Sequence, residues 1–210
     1  MNTLDYIVKK YKFDLTAKSP IEIPNVGRSD LALWLQELNF KTGVEVGVAA
    51  GEYGEILCQT NPQMKLYGID PWKPYKGYSD YTKISTFTSL YQQAVDRLAL
   101  YPNYIFLKEF SAEALKKFDD ESLDFVYIDA NHQEPFISED IAGWSRKVRP
   151  GGIVAGHDYI TRKLPHFDVK DAVLKYVNQY QIRPWFILGS GAKIAGTIRE
   201  SSRSWMWIKS

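Results

Sequence analysis

The sequence predicts an α/β protein: a doubly wound, mostly parallel sheet of seven strands, with an antiparallel C-terminal strand and helices on both faces. Three observations carry this. Short apolar runs alternate with stretches of helical period from Val44 to Tyr180, the order expected of strand–helix–strand units. The first apolar run ends in glycines and passes at once into a helix. After Pro184 the helices stop, and strand-like runs follow one another across glycine or serine turns, as antiparallel neighbours allow and parallel ones do not.

The chain organises itself around Gly43-Val-Glu-Val-Gly-Val-Ala-Ala-Gly51. This reads as strand, tight turn and helix. Gly47 and Gly51 let the backbone approach a ligand at a helix N-terminus, where free N–H groups favour polar or anionic groups. Gly51 lies four positions after Gly47, so the dinucleotide spacing G-x-G-x-x-G is not met. Glu45 sits inside the strand, two residues before the first glycine.

Upstream, a short helix is predicted near Leu4–Tyr11, then a loop rich in Pro and Gly from Pro20 to Gly27. Residues 1–28 read as a lid or arm on a single domain spanning 1–210. Ser29 or Asp30 caps a helix with Leu31, Trp34, Leu35 and Leu38 on its apolar face. Downstream, Lys65–Asp70 is the second strand. Its terminal acid, Asp70, stands where a doubly wound sheet places a carboxylate for ribose hydroxyls. Trp72–Tyr81 interleaves aromatics with Gly, Pro and Lys and reads as a substrate-side loop. A helix follows with Phe87, Leu90, Tyr91, Ala94, Val95 and Leu98 inward. Tyr104–Phe110 is the third strand, and Ser111 is the expected N-cap of the next helix.

Leu123–Ala130 is the fourth strand, with Asp129 at its end and His132 just beyond. A helix from Pro135 presents Ile137, Ile141, Trp144 and Val148, and stops at Arg149-Pro-Gly-Gly152. Ile153–Gly156 is the fifth strand and runs into His157-Asp158. Asp168 caps the last helix. Trp185–Leu188, Lys193–Ile198 and Ser204–Lys209 are the tail strands, and Gly189-Ser-Gly191 reads as a hairpin turn rather than a phosphate loop.

Composition narrows the classes. With 26 Lys and Arg against 25 Asp and Glu, no bulk charge draws the chain to nucleic acid or an anionic membrane. The lone Cys58 rules out an internal disulfide and fits a reducing compartment, so a cytoplasmic location is expected. No signal peptide or membrane-spanning run is seen.

Two of the three histidines follow strand ends, each near an acid: Asp129 with His132, and His157 with Asp158. Adjacent strands bring these loops to the edge that carries Glu45 and Asp70. The set suits activation of an oxygen nucleophile. A divalent cation lowers a hydroxyl's pKa, and an imidazole takes its proton.

Glu45-x-Gly47-x-x-x-Gly51 resembles the first motif of class I S-adenosylmethionine (SAM) methyltransferases, with Ala49 where that family has its middle glycine. The element order resembles their Rossmann-like fold. The resemblance implies SAM binding by Glu45, Gly47, Gly51, Asp70, the Ser111–Ala112 pair against the adenine, and Asp129. The later residues resemble cation-dependent O-methyltransferases of small molecules, the catechol and macrolide-sugar group. Their pattern is an Asp after strand four, a basic residue three positions on, and an acidic or amide pair after strand five. It implies Asp129, His157 and Asp158 as ligands for Mg²⁺ or Mn²⁺, and His132 with Asp129 as the catalytic pair. His157 departs from the Asp or Glu usual there.

The expected activity is methyl transfer to a hydroxyl of a small sugar, glycosylated or phenolic molecule, in a possible homo-oligomer. Competing classes are a NAD-type oxidoreductase, disfavoured by the glycine spacing, and a non-catalytic SAM- or nucleotide-binding module. Nucleic-acid N-methylation fits less well. Asp129-Ala-Asn-His132 stands where amino-group enzymes of this fold carry an Asn- or Asp-Pro-Pro-aromatic run.

Overall fold

The structure, a computed structural model, describes residues 2–12, 14–78, 82–160, 167–191, 195 and 202–210. The predicted strand Lys193–Ile198 falls almost wholly outside the described residues, as do positions 79–81 of the aromatic loop. The elements run α1 (Thr3–Tyr11), β1 (Ile21–Ile23), α2 (Arg28–Glu37), β2 (Thr42–Val46), α3 (Glu52–Thr60), β3 (Lys65–Ile69), α4 (Ile84–Leu98) and β4 (Tyr104–Leu107). They continue with α5 (Ser111–Ala114) and a 3₁₀ turn, β5 (Leu123–Ile128), α6 (Phe136–Lys147), β6 (Val148–Tyr159), α7 (Val169–Gln179), β7 (Trp185–Leu188) and β8 (Arg203–Ile208).

Among the described residues one sheet of eight strands results, in the order β1-β7-β8-β6-β5-β2-β3-β4. Every pairing is parallel except the two made by β8, which runs against both β6 and β7. The predicted class therefore holds, and one of the described strands was not expected. That strand is β1, from the stretch read as lid or arm. Its three residues pair with Phe186, Ile187 and Leu188 of β7. In α1, Ile7 is fully buried in the core, and the Thr3 hydroxyl donates to the Gly151 carbonyl at 2.5 Å. Sequence patterning hid β1 because three residues between Pro20 and Pro24 show too little alternation to register.

Chain order places the switch point between β2 and β5. The chain leaves β2 toward β3 and β4, then returns to lay β5 on the other side. A crevice opens at the carboxyl ends of such a pair. The core divides by sheet face. Trp34, Tyr127 and Phe186 fill one side, and Trp144, Trp205 and Trp207 the other. Alternation along β2 sends Val44 and Val46 to the second side and Glu45 to the first.

Several ends differ from expectation in instructive ways. The N-cap of α2 is Gly27, and Asp30 reaches back to accept its N–H at 2.8 Å. Phe110, not Ser111, is the residue preceding α5, so the Ser111 hydroxyl is released for other work. Asp168 precedes α7, but its carboxylate accepts the Glu134 N–H at 3.0 Å across the loop. Arg149-Pro-Gly-Gly152 does end α6, yet it begins β6 at once, with an irregular register against Leu123 and Phe125.

Candidate active site

The β2–α3 turn is pinned from both neighbours. The Gly47 N–H donates to the Ile69 carbonyl at 2.9 Å, and the Asp129 N–H to the Val46 carbonyl at 2.8 Å. Gly47 has φ +90°, and a Cβ there would stand 2.0 Å from the Asp129 carbonyl oxygen. Only glycine lets the two strand tips close in this way. Gly51 has φ +80°, and a Cβ there would press on Leu98 and Ala94 of α4. Its role in this geometry is helix packing. Ala49, at the family's middle-glycine position, adopts the left-handed φ of 48°.

Asp70 ties this turn to β3. Its carboxylate accepts the N–H groups of Val48 and Ala49 on one oxygen, at 3.1 and 3.0 Å, and that of Trp72 on the other, at 2.8 Å. Burial raises the Asp70 carboxyl above its ordinary value, against the pull of those three donors. Trp72 then folds over the turn. Its indole N–H donates to the Ala49 carbonyl at 2.9 Å, and its ring packs on Tyr91 and Phe106.

A cavity of about 440 Å³ opens beside the turn, within the usual range for a small-molecule site. Gly47, Asp70, Ser111, Ala112 and Asp129, all expected at a cofactor site, are on its wall. The aromatic loop roofs it. Tyr75 stacks on Tyr78 at 5.1 Å and meets Phe110 and Phe136 edge-on. The Asn131 side-chain amide donates to the Gly77 carbonyl at 2.8 Å and fastens the roof to the end of β5. The loop thus covers the cavity lined by the residues expected at a cofactor site.

Glu45 and Gly51 are not on that wall. Glu45 is 2% exposed and sits behind the turn, accepting the Tyr104 hydroxyl at 3.0 Å. Burial pushes its carboxyl up to about 8. Glu45, expected at a cofactor site, lies beneath the loop, because strand alternation turns it toward α3 and β4.

Part of the cavity wall is acidic. Asp140 of α6, 7% exposed, takes the Ser111 hydroxyl as a donor, and Ser111 Oγ in turn accepts the Trp144 indole N–H at 2.8 Å. Burial pushes the Asp140 carboxyl up to about 7, against the pull of Ser111. Sequence reasoning passed over Asp140. The signal was an acid at an inward position of α6, in step with Ile137, Ile141 and Trp144.

Beyond Asp129 lies the ionisable cluster. His132 Nε2 is 2.9 Å from Asp158 Oδ2 and 3.8 Å from Asp129 Oδ1. His157 Nδ1 is 3.3 Å from Asp158 Oδ1 and 3.7 Å from Asp129 Oδ2. A bulge in β6 between Gly156 and Tyr159, with Asp158 at φ 61°, turns both neighbours His157 and Asp158 toward the site. Burial raises the Asp158 carboxyl, but hydrogen bonds from the two histidines outweigh it and hold the group far below the carboxylate range. Burial lowers His157, while the Asp158 hydrogen bond and the Asp129 charge reverse the sign and raise it.

Ligand atoms of Asp129, His132 and Asp158 all lie within 4.8 Å of one another. Two carboxylates and an imidazole suit Mn²⁺, Fe²⁺ or Zn²⁺ better than the all-oxygen shell favoured by Mg²⁺. His157, expected as a ligand, is not in that set, although its Nδ1 is near both acids; His132 is in the set instead. Arg28, the first residue of α2, was not foreseen. Its guanidinium is 3.8 Å from Asp129 Oδ2 and lies over the Tyr53 ring. Nothing local in the sequence links it to β5.

A glycine turn at the switch point, a roofed cavity and an ionisable group at its mouth are the layout of class I methyltransferases. A family profile described as a methyltransferase domain matches residues 44–159, more than half of the chain, and the chain belongs to that family. An O-methyltransferase from Bacillus cereus, solved in complex with SAH, superposes with a TM-score of 0.62 at 14% identity, over 99% of this chain and 90% of its own. TomG from Streptomyces achromogenes, an O-methyltransferase involved in tomaymycin synthesis and solved with SAM, gives 0.60 at 16% identity, over 99% and 90%. At such identities the likeness is one of fold. A search of curated proteins finds no match. No described helix is long and apolar enough to cross a membrane.

Proposed function

We propose that this protein is a SAM-dependent O-methyltransferase acting on a hydroxyl of a small molecule such as a sugar, glycosylated or phenolic metabolite. The observation that carries the reading is the place of Asp129. It lines the cavity on one side and stands 3.8 Å from His132 Nε2 on the other. A ligand in the cavity and a hydroxyl beside His132 would meet there.

The backbone closeness at Gly47, the Asp70 end of the cavity and the donor-seeking wall at Asp140 fit the polar and apolar parts of SAM. Gly47, Asp70, Ala112 and Asp129 would hold it, with Glu45 supporting the turn from below. When bound, SAM supplies an electrophilic methyl group with a neutral thioether as leaving group. The His132 ring accepts the proton of the attacking hydroxyl on Nδ1, the nitrogen turned away from Asp158, while Asp158, 2.9 Å from Nε2, orients the ring and stabilises the imidazolium. Asp129, His132 and Asp158 are the residues that would hold a divalent cation, which would acidify a coordinated hydroxyl. The aromatic roof excludes water from the transfer.

A metal-independent form of the same reaction has its own support. Arg28 already sets positive charge against Asp129, and the two histidines stand against Asp158. EDTA treatment separates the two forms. The function itself is tested by calorimetric titration with SAM and a screen of hydroxylated acceptors. No binding at millimolar SAM rejects it.

A further inference from the structure

The acidic part of the cavity wall offers a specific reading of what sits there. Ser111 carries one hydroxyl hydrogen. That hydrogen is given to Asp140, and the Ser111 oxygen is engaged by the Trp144 indole N–H at 2.8 Å. Ser111 therefore has no hydrogen left to donate to a ligand. Ala112 beside it has no polar side-chain atom. The side-chain character of this wall is set by Asp140, with Glu139 and Glu113 also on it. All three are carboxyls.

Asp140 itself is nearly enclosed, and among the described residues no Lys, Arg or His forms an ion pair with it. A carboxyl taken from water without a cationic partner is costly unless hydrogen-bonded. Ser111 occupies one of its oxygens. The carboxyl keeps capacity for a ligand that brings its own N–H. With Asp140 ionised the wall accepts donors and repels acceptors, and Phe136 beside it provides a flat apolar surface.

We propose that Asp140 is the base-reading residue of the cofactor site: its carboxyl pairs with the exocyclic amine of adenine, and Ser111 is the positioning residue that fixes it. This rests on the SAM reading above. It moves the purine contact expected of Ser111 onto an acid of α6. It also states a specificity. A purine with an amino group at position 6 is accepted, and one with an oxo group there is refused, because acceptor would face acceptor.

The test is calorimetry at pH 8.5, where the Asp140 carboxyl is ionised, with S-adenosylhomocysteine and its 6-oxo counterpart, S-inosylhomocysteine. The wild type is expected to prefer the adenine form by about 10²-fold, the scale of discrimination by a buried charged hydrogen-bond partner. In Asp140→Asn the amide can turn a donor toward the oxo group, and the preference falls to near one or inverts. Ser111→Ala narrows the ratio without abolishing binding, a change that mere loosening of the fold would not make selectively. A wild-type ratio near one overturns the proposal even if no variant folds. An unchanged ratio in a folded Asp140→Asn protein overturns it too. If the wild type binds neither compound, the cofactor assignment falls and this one with it. Binding of both without discrimination sinks this one alone.

Discussion

The imidazole of His132 and the carboxylate of Asp158 meet at 2.9 Å, each delivered by a different strand end. An acid that stays ionised beside a histidine is the arrangement that makes the ring a proton acceptor and then stabilises its charged form. His132→Ala should lower kcat by about 10²- to 10⁴-fold. Binding of S-adenosylhomocysteine should change little. Steady-state kinetics paired with calorimetry reads both, and an unimpaired kcat would remove His132 from the chemistry.

Removal of divalent ions separates two modes of activation. With a cation on Asp129 and Asp158, EDTA abolishes turnover and Mn²⁺ restores it, and Asp129→Ala behaves like the chelated enzyme. Full activity in EDTA would leave proton removal to His132 alone, with Arg28 neutralising Asp129.

The closeness of β2 and β5 at Gly47 has a direct mutational consequence. Gly47→Ala forces a side chain into a left-handed backbone and onto the Asp129 carbonyl oxygen, 2.0 Å away. The expected loss of stability is about 3 kcal/mol or more, a steep cost for one methyl group. Ligand binding is lost with it, because the turn and Asp129 are displaced together. Denaturant melts and SAM titration of the variant check both, and a protein that melts and binds as before would show that the strand tips tolerate separation.

Glu45 makes stability depend on pH in an unusual direction. Its carboxyl titrates near 4.5 when unfolded and at about 8 when folded. Below the lower value both states hold the proton, and nothing is gained or lost. Between the two, the unfolded chain gives up its proton and the folded chain does not, so stability falls as pH rises through that window. Asp140, raised from 3.8 to about 7, acts with the same sign over its own window. Urea melts should show the wild type weaker at pH 8.5 than at pH 5.5, by on the order of a few kcal/mol. Glu45→Gln keeps an acceptor for the Tyr104 hydroxyl and flattens that difference. An equally steep pH profile in the variant would mean that Glu45 titrates normally.

Legibility in the sequence followed range. Glycine turns, strand-end acids and helix faces are local patterns, and Gly47, Asp70, Asp129, His132 and Asp158 were readable from them. Arg28 reaches Asp129 only through tertiary packing, so no spacing announced it. Glu45 was visible as an acid but not as a buried one, because alternation alone does not say which face α3 and β4 cover. Ser111 has a sequence that suits an N-cap, yet Phe110 takes that position and Trp144 with Asp140 recruit the hydroxyl instead. Tertiary partners overrode local propensity there.

The short strand β1 has a consequence for how the molecule behaves among its own copies. It lies along β7, whose residues Trp185–Leu188 are all buried and apolar. Uncovered, β7 would offer a row of free N–H and C=O groups on a sticky ribbon, an invitation to sheet extension and aggregation. Among the described residues the outermost strand is instead a three-residue stub bearing Glu22 and bracketed by Pro20 and Pro24. A ribbon so brief, charged and proline-flanked gives a neighbouring chain almost nothing to extend, so the protein carries its own stopper at the end of the sheet.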